Sequence, residues 1–295
     1  MVCTTYGTRR QRYRDIQDAF VQRRSSSSPV VVELEPTTAC NIACVFCPRD
    51  SLRRAGGSLS EAGFLAILKN LGGGADKGML LFSGFGEPMK HEEIAVFVRH
   101  AKDAGWFCGI TTNGSLLSVA TVERLLSAGL DVLQVSLHAG TGPTYSRVVN
   151  GASYEDAVRK VEAIAPLCEG RIVLALNFTV TPWNRQETRE FASYWKGRGV
   201  SHMNFSRCHN RGGHFQGFDQ GSGPPSSGEM AEGCWSFHNA LYVTWEGQLL
   251  ACCNDLTGET YRGDLRLLPL REILDLEGRR EPFFAICEHC DFPFR

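Results

Sequence analysis

Cys40, Cys44 and Cys47 stand in the run Cys-Asn-Ile-Ala-Cys-Val-Phe-Cys, closed by Pro48. Three thiolates on one tight loop can grip three irons of a cubane [4Fe–4S] cluster and leave the fourth iron open. An open iron is a reaction site, as an open coordination position is in catalytic zinc enzymes. A zinc knuckle, or three unrelated buried thiols, is the competing use of the same residues. A second group lies near the other end, where Cys234 and Cys252 are followed by Cys287-Glu-His-Cys290. Four thiolates in two pairs suit zinc as well as an iron–sulfur cube.

Twelve cysteines in 295 residues are about 4%, well under the roughly 8–10% that marks a disulfide scaffold. A reducing cytoplasm also disfavours bridges, so metal-binding thiolates are the expected use. Cys108, inside a strand, and Cys168, near a helix end, are expected in the core, and Cys3 in a disordered terminus. Lys+Arg 31 against Asp+Glu 32 lacks the basic excess of a nucleic-acid surface. A hydrophobic fraction of 43% supports a large core and excludes disorder as the dominant state. No window approaches the roughly 18 uninterrupted apolar residues of a membrane span. Residues 1 to 24 are Arg-rich without an apolar segment, so no secretory signal is read there. A cytoplasmic protein with no membrane or nucleic-acid partner is the expectation.

The elements that must position the thiols form a repeating beat. Strand signals fall at 30–36, 79–82, 107–112, 132–137, 172–180 and 202–206. Helix-spaced apolar residues lie between them, the first helix opening at a Ser-x-x-Glu-like start near 60. Six βα units in sequence imply a parallel sheet with helices outside it, as a partial barrel or an open doubly wound sheet. Function then sits at the C-terminal ends of the strands, and Cys208, just past the sixth, faces that end. A short basic helix over 9–22 is read as packing without chemistry. Residues 211–233, with seven Gly and a Pro-Pro pair, read as a loop or linker. The organisation is therefore an N-terminal extension (1–29), a core (30–210), the linker, and a module at 234–295. That last module is too small to build much of a core without a metal cluster.

Cys-x3-Cys-x2-Cys directly after the first strand of such an array resembles the radical S-adenosylmethionine (SAM) superfamily. The resemblance covers roughly 30 to 210 and implies a partial (β/α)6 TIM-like barrel. Ser83-Gly84-Phe85-Gly86-Glu87-Pro88 is similar to the family's Gly-Gly-Glu-Pro segment, which receives the SAM amino group; Phe85 stands where the first Gly usually does. Glycine there lets main-chain carbonyls approach an ammonium closely. By resemblance Gly84, Gly86, Glu87, Asn113, Ser136 and His138 line the SAM site, and Arg147 reaches its carboxylate. Each also has a plain reading: Asn113-Gly114 as a turn, His138 as a strand cap, Arg147 as a surface ion pair. The implied chemistry is reductive cleavage of SAM to a 5′-deoxyadenosyl radical that abstracts hydrogen, with an external flavodoxin- or ferredoxin-type electron donor.

The C-terminal cysteines, with a hairpin expected at 242–251, resemble the auxiliary-cluster module called SPASM or, shortened, twitch. The resemblance implies a second [4Fe–4S] cluster on Cys234, Cys252, Cys287 and Cys290, with zinc as the alternative. Cys253 adjoins Cys252, and neighbouring residues in extended chain point to opposite sides. If Cys252 faces a cluster, Cys253 can face the barrel mouth and return a hydrogen atom to a carbon radical. Abstraction from one face and return from the other inverts a stereocentre. A spare buried thiol or a substitute ligand are the other uses of Cys253. The eighteen-position step from Cys234 to Cys252 and the terminal Cys-x2-Cys look like the aminoglycoside-biosynthesis members, among them a neomycin epimerase and a 2-deoxy-scyllo-inosamine dehydrogenase. Epimerisation of an amino sugar is expected first, aminocyclitol oxidation second and peptide maturation third. Glu87, Asp255 and Glu259 are the acidic candidates for meeting a polycationic small molecule.

Overall fold

The computed structural model describes residues 5–22, 31–72, 78–215, 234, 237, 239–277 and 284–291. In chain order the elements are α1 (Tyr6–Gln22), β1 (Val31–Leu34), β2 (Ala43–Cys44), α2 (Glu61–Leu71), β3 (Met79–Phe82), α3 (Ile94–Asp103), β4 (Phe107–Thr112), α4 (Val119–Ala128) and β5 (Val132–Ser136). Then come α5 (Gly142–Val148), β6 (Val149–Asn150), α6 (Tyr154–Cys168), β7 (Val173–Val180), α7 (Thr188–Trp195) and β8 (His202–Arg207). The chain closes with β9 (Ala240–Val243), β10 (Gln248–Leu250), β11 (Tyr261–Asp264) and α8 (Leu270–Glu277). Cys3 and 216–233 of the expected linker lie outside the described residues.

Six strands of the expected array, β1, β3, β4, β5, β7 and β8, lie side by side and all parallel. The partial (β/α)6 barrel is thus present. Helix starts follow local chemistry. The Ser-x-x-Glu signal resolves to Ser60 alone, whose side chain accepts from the Gly63 amide; Ser118 and Thr121 close a reciprocal capping box on α4. The expected hairpin forms as β9 and β10, but it does not stand apart. β9 pairs parallel with β1, Val31 against Ala240 through Leu34 against Val243, so the C-terminal strands extend the barrel sheet. Several short elements escaped sequence reading, among them α5, β11, and the pair β2 and β6, in which β2 inside the thiol loop pairs with β6 after α5.

The helix α1 closes the N-terminal end of the barrel. Tyr13 and Ile16 pack on Val31, Met79, Phe107, Val132 and Val173, the first residues of five strands. Outside that plug, Arg9 Nε donates at 2.8 Å and Lys102 Nζ at 2.5 Å to the fully buried Asp131, which also accepts from the Cys108 amide. Cys108 and Cys168 are core residues, as expected. Cys208 is buried as well, and burial pushes its thiol up to about 11.

A polar cavity at the strand ends

Every barrel strand contributes to one cavity of about 490 Å³. Cys40, Cys44 and Cys47 line it, as do Gly84, Gly86, Glu87, Asn113, Ser136, His138 and Cys253. Arg147 does not. It is exposed on α5, with its guanidinium 4.8 Å over the Trp183 ring. The short α5 turns that side chain outward, and the cations lining the cavity are Arg49 and Arg211 instead.

The thiol loop is held from both sides. The Cys47 amide donates to the Cys44 carbonyl, Val45 N–H to Val148 O, and Arg49 Nη1 to the Cys40 carbonyl. Asn113 Nδ2 donates to Cys40 Sγ at 3.7 Å. Burial, then the neighbouring Cys47 and Cys40, push the Cys44 thiol up to about 12. Three crowded thiols resist ionising together, and iron supplies the positive charge that reverses this. Among the described residues no three His, Cys, Asp or Glu side chains gather as around one metal ion. A cubane needs a different arrangement, one thiolate for each of three irons, and three free thiols on one loop facing a shared volume fit it.

The Ser83 to Pro88 turn depends on its glycines. Gly84 has φ +131°, and a Cβ there would lie 2.9 Å from Glu35 Cγ. A Cβ on Gly86 would fall 1.9 Å from the Thr37 carbonyl oxygen, an impossible contact with main chain. Glu87 is buried and accepts from Thr112 Oγ1 (2.6 Å), the Met89 amide (3.0 Å) and the Asn113 amide (2.7 Å). It ties the turn to the end of β4. Burial nonetheless raises its pKa. His138 Nδ1 accepts from the Thr179 amide at 3.0 Å, so its proton sits on Nε2. Burial, then the Arg211 charge, lower its pKa to about 4.

Of the other acidic candidates, Asp255 accepts from the Thr257, Gly258 and Thr260 amides and from both Thr hydroxyls. It organises its own turn and lies outside the cavity lining, as does the exposed Glu259. Cys208 is likewise absent from the lining.

At the C-terminal module Cys253 faces the cavity while Cys252 does not. The Cys252 thiol is raised first by its hydrogen bond with Cys253, then by burial, with Cys234 near enough to add to the effect. Cys287 feels Glu259, on the β10 to β11 connection that also carries Cys252. The turn Ala285–His289 packs on the loop after β8: Asn210 Nδ2 donates to the His289 carbonyl at 2.6 Å, and the Asp291 amide to Asn210 Oδ1 at 3.1 Å. Arg211 follows, with φ 54°, and donates to Asn254 Oδ1 at 3.4 Å. A non-glycine residue in that conformation is held by its surroundings.

Sequence reading missed Glu33, Gln134, Asn177, Asn204 and Arg211, all lining the cavity. Glu33, Gln134 and Asn177 are polar residues within otherwise largely apolar strands, a usable signal; Asn204 lies in the mostly polar β8 and does not stand out there. Arg211 carried none, since it opens the glycine-rich stretch.

Known proteins were compared with this arrangement. The Radical SAM superfamily model matches residues 34–193. A tungsten-containing aldehyde ferredoxin oxidoreductase cofactor-modifying protein of Pyrococcus furiosus is 28% identical over 174 residues, 58% of this chain and 49% of that protein. A probable GTP 3′,8-cyclase of Saccharolobus islandicus is 28% identical over 174 residues, 59% of this chain and 55% of the cyclase. The chain thus spans about half the length of the curated relatives it matches. In fold it resembles BtrN in complex with AdoMet and 2-DOIA, with TM-score 0.60 and 17% identity, covering 90% of this chain and 94% of that one. It also resembles Streptococcus suis SuiB bound to precursor peptide SuiA, with TM-score 0.69 and 15% identity, covering 95% and 75%. No described helix is long and apolar enough to cross a membrane. A family match over more than half the sequence, on a chain whose thiol loop follows β1 of a parallel barrel, has one meaning: the chain belongs to the radical SAM superfamily.

Proposed function

We propose that this radical SAM enzyme inverts a carbon stereocentre of an amino sugar, with Cys253 returning the hydrogen atom. The observation that carries the reading is that the Cys253 thiol shares one cavity with Cys40, Cys44 and Cys47, while its neighbour Cys252 lies outside the lining. Cys40, Cys44 and Cys47 would hold the [4Fe–4S] cluster that binds AdoMet, and together these groups supply the reductive chemistry that removes one substrate hydrogen atom. Gly84, Gly86, Glu87, Asn113, Ser136 and His138 would line the AdoMet site. Arg211, which lines the cavity where Arg147 does not, would meet the AdoMet carboxylate in place of Arg147.

Cys253 has the chemistry that inversion requires. Its S–H bond is weaker than most C–H bonds, so it can give a hydrogen atom to a carbon radical. The thiol sulfur is left one hydrogen atom short, and one electron from a flavodoxin- or ferredoxin-type donor plus one proton restores it. Cys234, Cys252, Cys287 and Cys290 would hold a second [4Fe–4S] cluster that can relay that electron.

A second reading is oxidation of an aminocyclitol alcohol. It is favoured by Cys252 adjoining the cavity-lining thiol, since a cluster there is well sited to accept an electron from the substrate. Turnover in D2O with amino-sugar substrates separates the two. Epimerisation puts one deuterium on the inverted carbon, because the thiol hydrogen exchanges with solvent. A product two mass units lighter and free of deuterium overturns it in favour of oxidation.

A further inference from the structure

The inside of a structural barrel is filled by layers of branched apolar side chains. Here the inward positions carry Glu33 on β1, Thr111 on β4, Gln134 on β5, Asn177 on β7 and Asn204 on β8, all lining the cavity. The amides among them are oriented by one another. Thr111 Oγ1 and Asn177 Nδ2 each donate to Gln134 Oε1 at 3.0 Å, and Asn204 Nδ2 donates to Asn177 Oδ1 at 2.7 Å. From below, the Tyr13 hydroxyl accepts from Gln134 Nε2 at 3.2 Å and from Asn204 Nδ2 at 2.9 Å. The array is neutral, rigid and polar.

Glu33 is the exception to that neutrality. Its carboxylate accepts from the Ser83 hydroxyl, and among the described residues it has no ion-pair partner. Two residues on, Glu35 shows how this fold treats a carboxylate used for structure: Arg54 donates to both its oxygens at 2.6 and 2.9 Å, with the Tyr242 hydroxyl at 3.2 Å. Glu33 is half-buried at the cavity wall, and burial raises its pKa while the Arg211 charge, beyond ion-pair distance, offsets only part of this, so its ionised form is costly to retain. It is repaid when a bound cation supplies the missing charge, in a cavity otherwise built to hydrogen-bond hydroxyl groups.

We propose that Glu33 anchors the substrate by accepting a charge-assisted hydrogen bond from a protonated amine on its ring, with the Gln134, Asn177 and Asn204 amides meeting ring hydroxyls. This rests on the amino-sugar reading and names the residue that makes it selective for amines. Glu33 is a binding residue and no part of the hydrogen-transfer step.

The test uses two rings of similar size and opposite charge character, 2-deoxystreptamine, a diamine, and scyllo-inositol, which is all hydroxyl. Their affinities for the anaerobically purified full chain are measured by calorimetry with AdoMet present. The wild type is expected to bind the diamine at least tenfold more tightly than the polyol. Glu33→Gln is expected to lose tenfold or more for the diamine and less than threefold for the polyol. Glu33→Asp keeps the charge, so it should keep the diamine preference at weaker affinity; it also serves if the Gln variant gives no cooperative melting transition. A wild type that prefers the diamine alongside a Gln variant with the same preference overturns the Glu33 assignment alone. A wild type that binds neither ring, or both equally, overturns the amino-sugar reading and the role of Glu33 with it.

Discussion

Arg54→Met is the substitution whose cost follows most directly from the structure. The Arg54 side chain is 4% exposed and its partner Glu35 0%. Their pair is bidentate, and Arg54 Nη2 also donates to the Tyr242 hydroxyl at 3.1 Å. Removing the guanidinium leaves the Glu35 carboxylate with only the Tyr242 hydroxyl and the Phe85 amide, at 3.2 and 3.3 Å. An uncompensated buried charge of this kind costs about 3–5 kcal/mol. The double variant Glu35→Gln, Arg54→Met carries no buried charge and keeps acceptors for both remaining donors. It should recover about 2 kcal/mol or more of the loss. Anaerobic urea unfolding followed by tryptophan fluorescence gives the four free energies of the cycle. A single variant destabilised by less than about 1 kcal/mol, or a double variant no better than Arg54→Met, refutes the reasoning. The network also bridges the end of β1, the segment after the thiol loop and β9, which pairs with β10, the strand that leads into the connection carrying Cys253. Its loss therefore reaches the proposed hydrogen donor through the sheet.

His138 gives a pH prediction. Its pKa is about 4 in the folded chain against 6.5 for the free side chain. As pH falls from 6.5 towards 4 the unfolded chain takes up the proton and the native chain does not, so stability present above that window is lost through it. The displacement is worth roughly 3 kcal/mol. The difference in unfolding free energy between wild type and His138→Gln should change by that amount between pH 7 and pH 4; a difference flat with pH contradicts it. Gly86→Ala forces a methyl into the Thr37 carbonyl and should cost about 3 kcal/mol or more, with loss of AdoMet binding. Wild-type melting and AdoMet affinity in that variant would show that the turn tolerates a side chain.

Much of this was legible in the residues. Strand boundaries from sequence fall within two residues of those observed, because β-branched runs such as 30–36 and 172–180 pack on both faces of a parallel sheet and have no other stable use. Cys253 lines the cavity where Cys252 does not, but strand alternation is not the reason: both residues follow β10 in a turn, and the Cys252 thiol hydrogen-bonds Cys253 instead of pointing away from it. Other features depended on contacts distant in sequence. Arg147 reads as a ligand for an anion until the stacking on Trp183 is seen, thirty-six positions away. Asp255 reads as a free carboxylate until its five donors are counted in space. That β9 joins β1 instead of forming a separate module is a pairing across more than two hundred residues, invisible to local pattern. Glu33 in β1 and Glu35 just past its end sit two positions apart, yet Glu35 is matched by Arg54 and Glu33 is left facing the cavity.

The central claim is that Cys253 supplies the hydrogen that sets the new stereocentre. The most direct measurement compares wild type with Cys253→Ala in D2O, quantifying inverted product, its deuterium content and the 5′-deoxyadenosine formed. The account predicts one deuterium at the inverted carbon for wild type, and for the variant continued 5′-deoxyadenosine formation with inverted product reduced at least a hundredfold. Inversion by Cys253→Ala at the wild-type rate and deuterium content would contradict it.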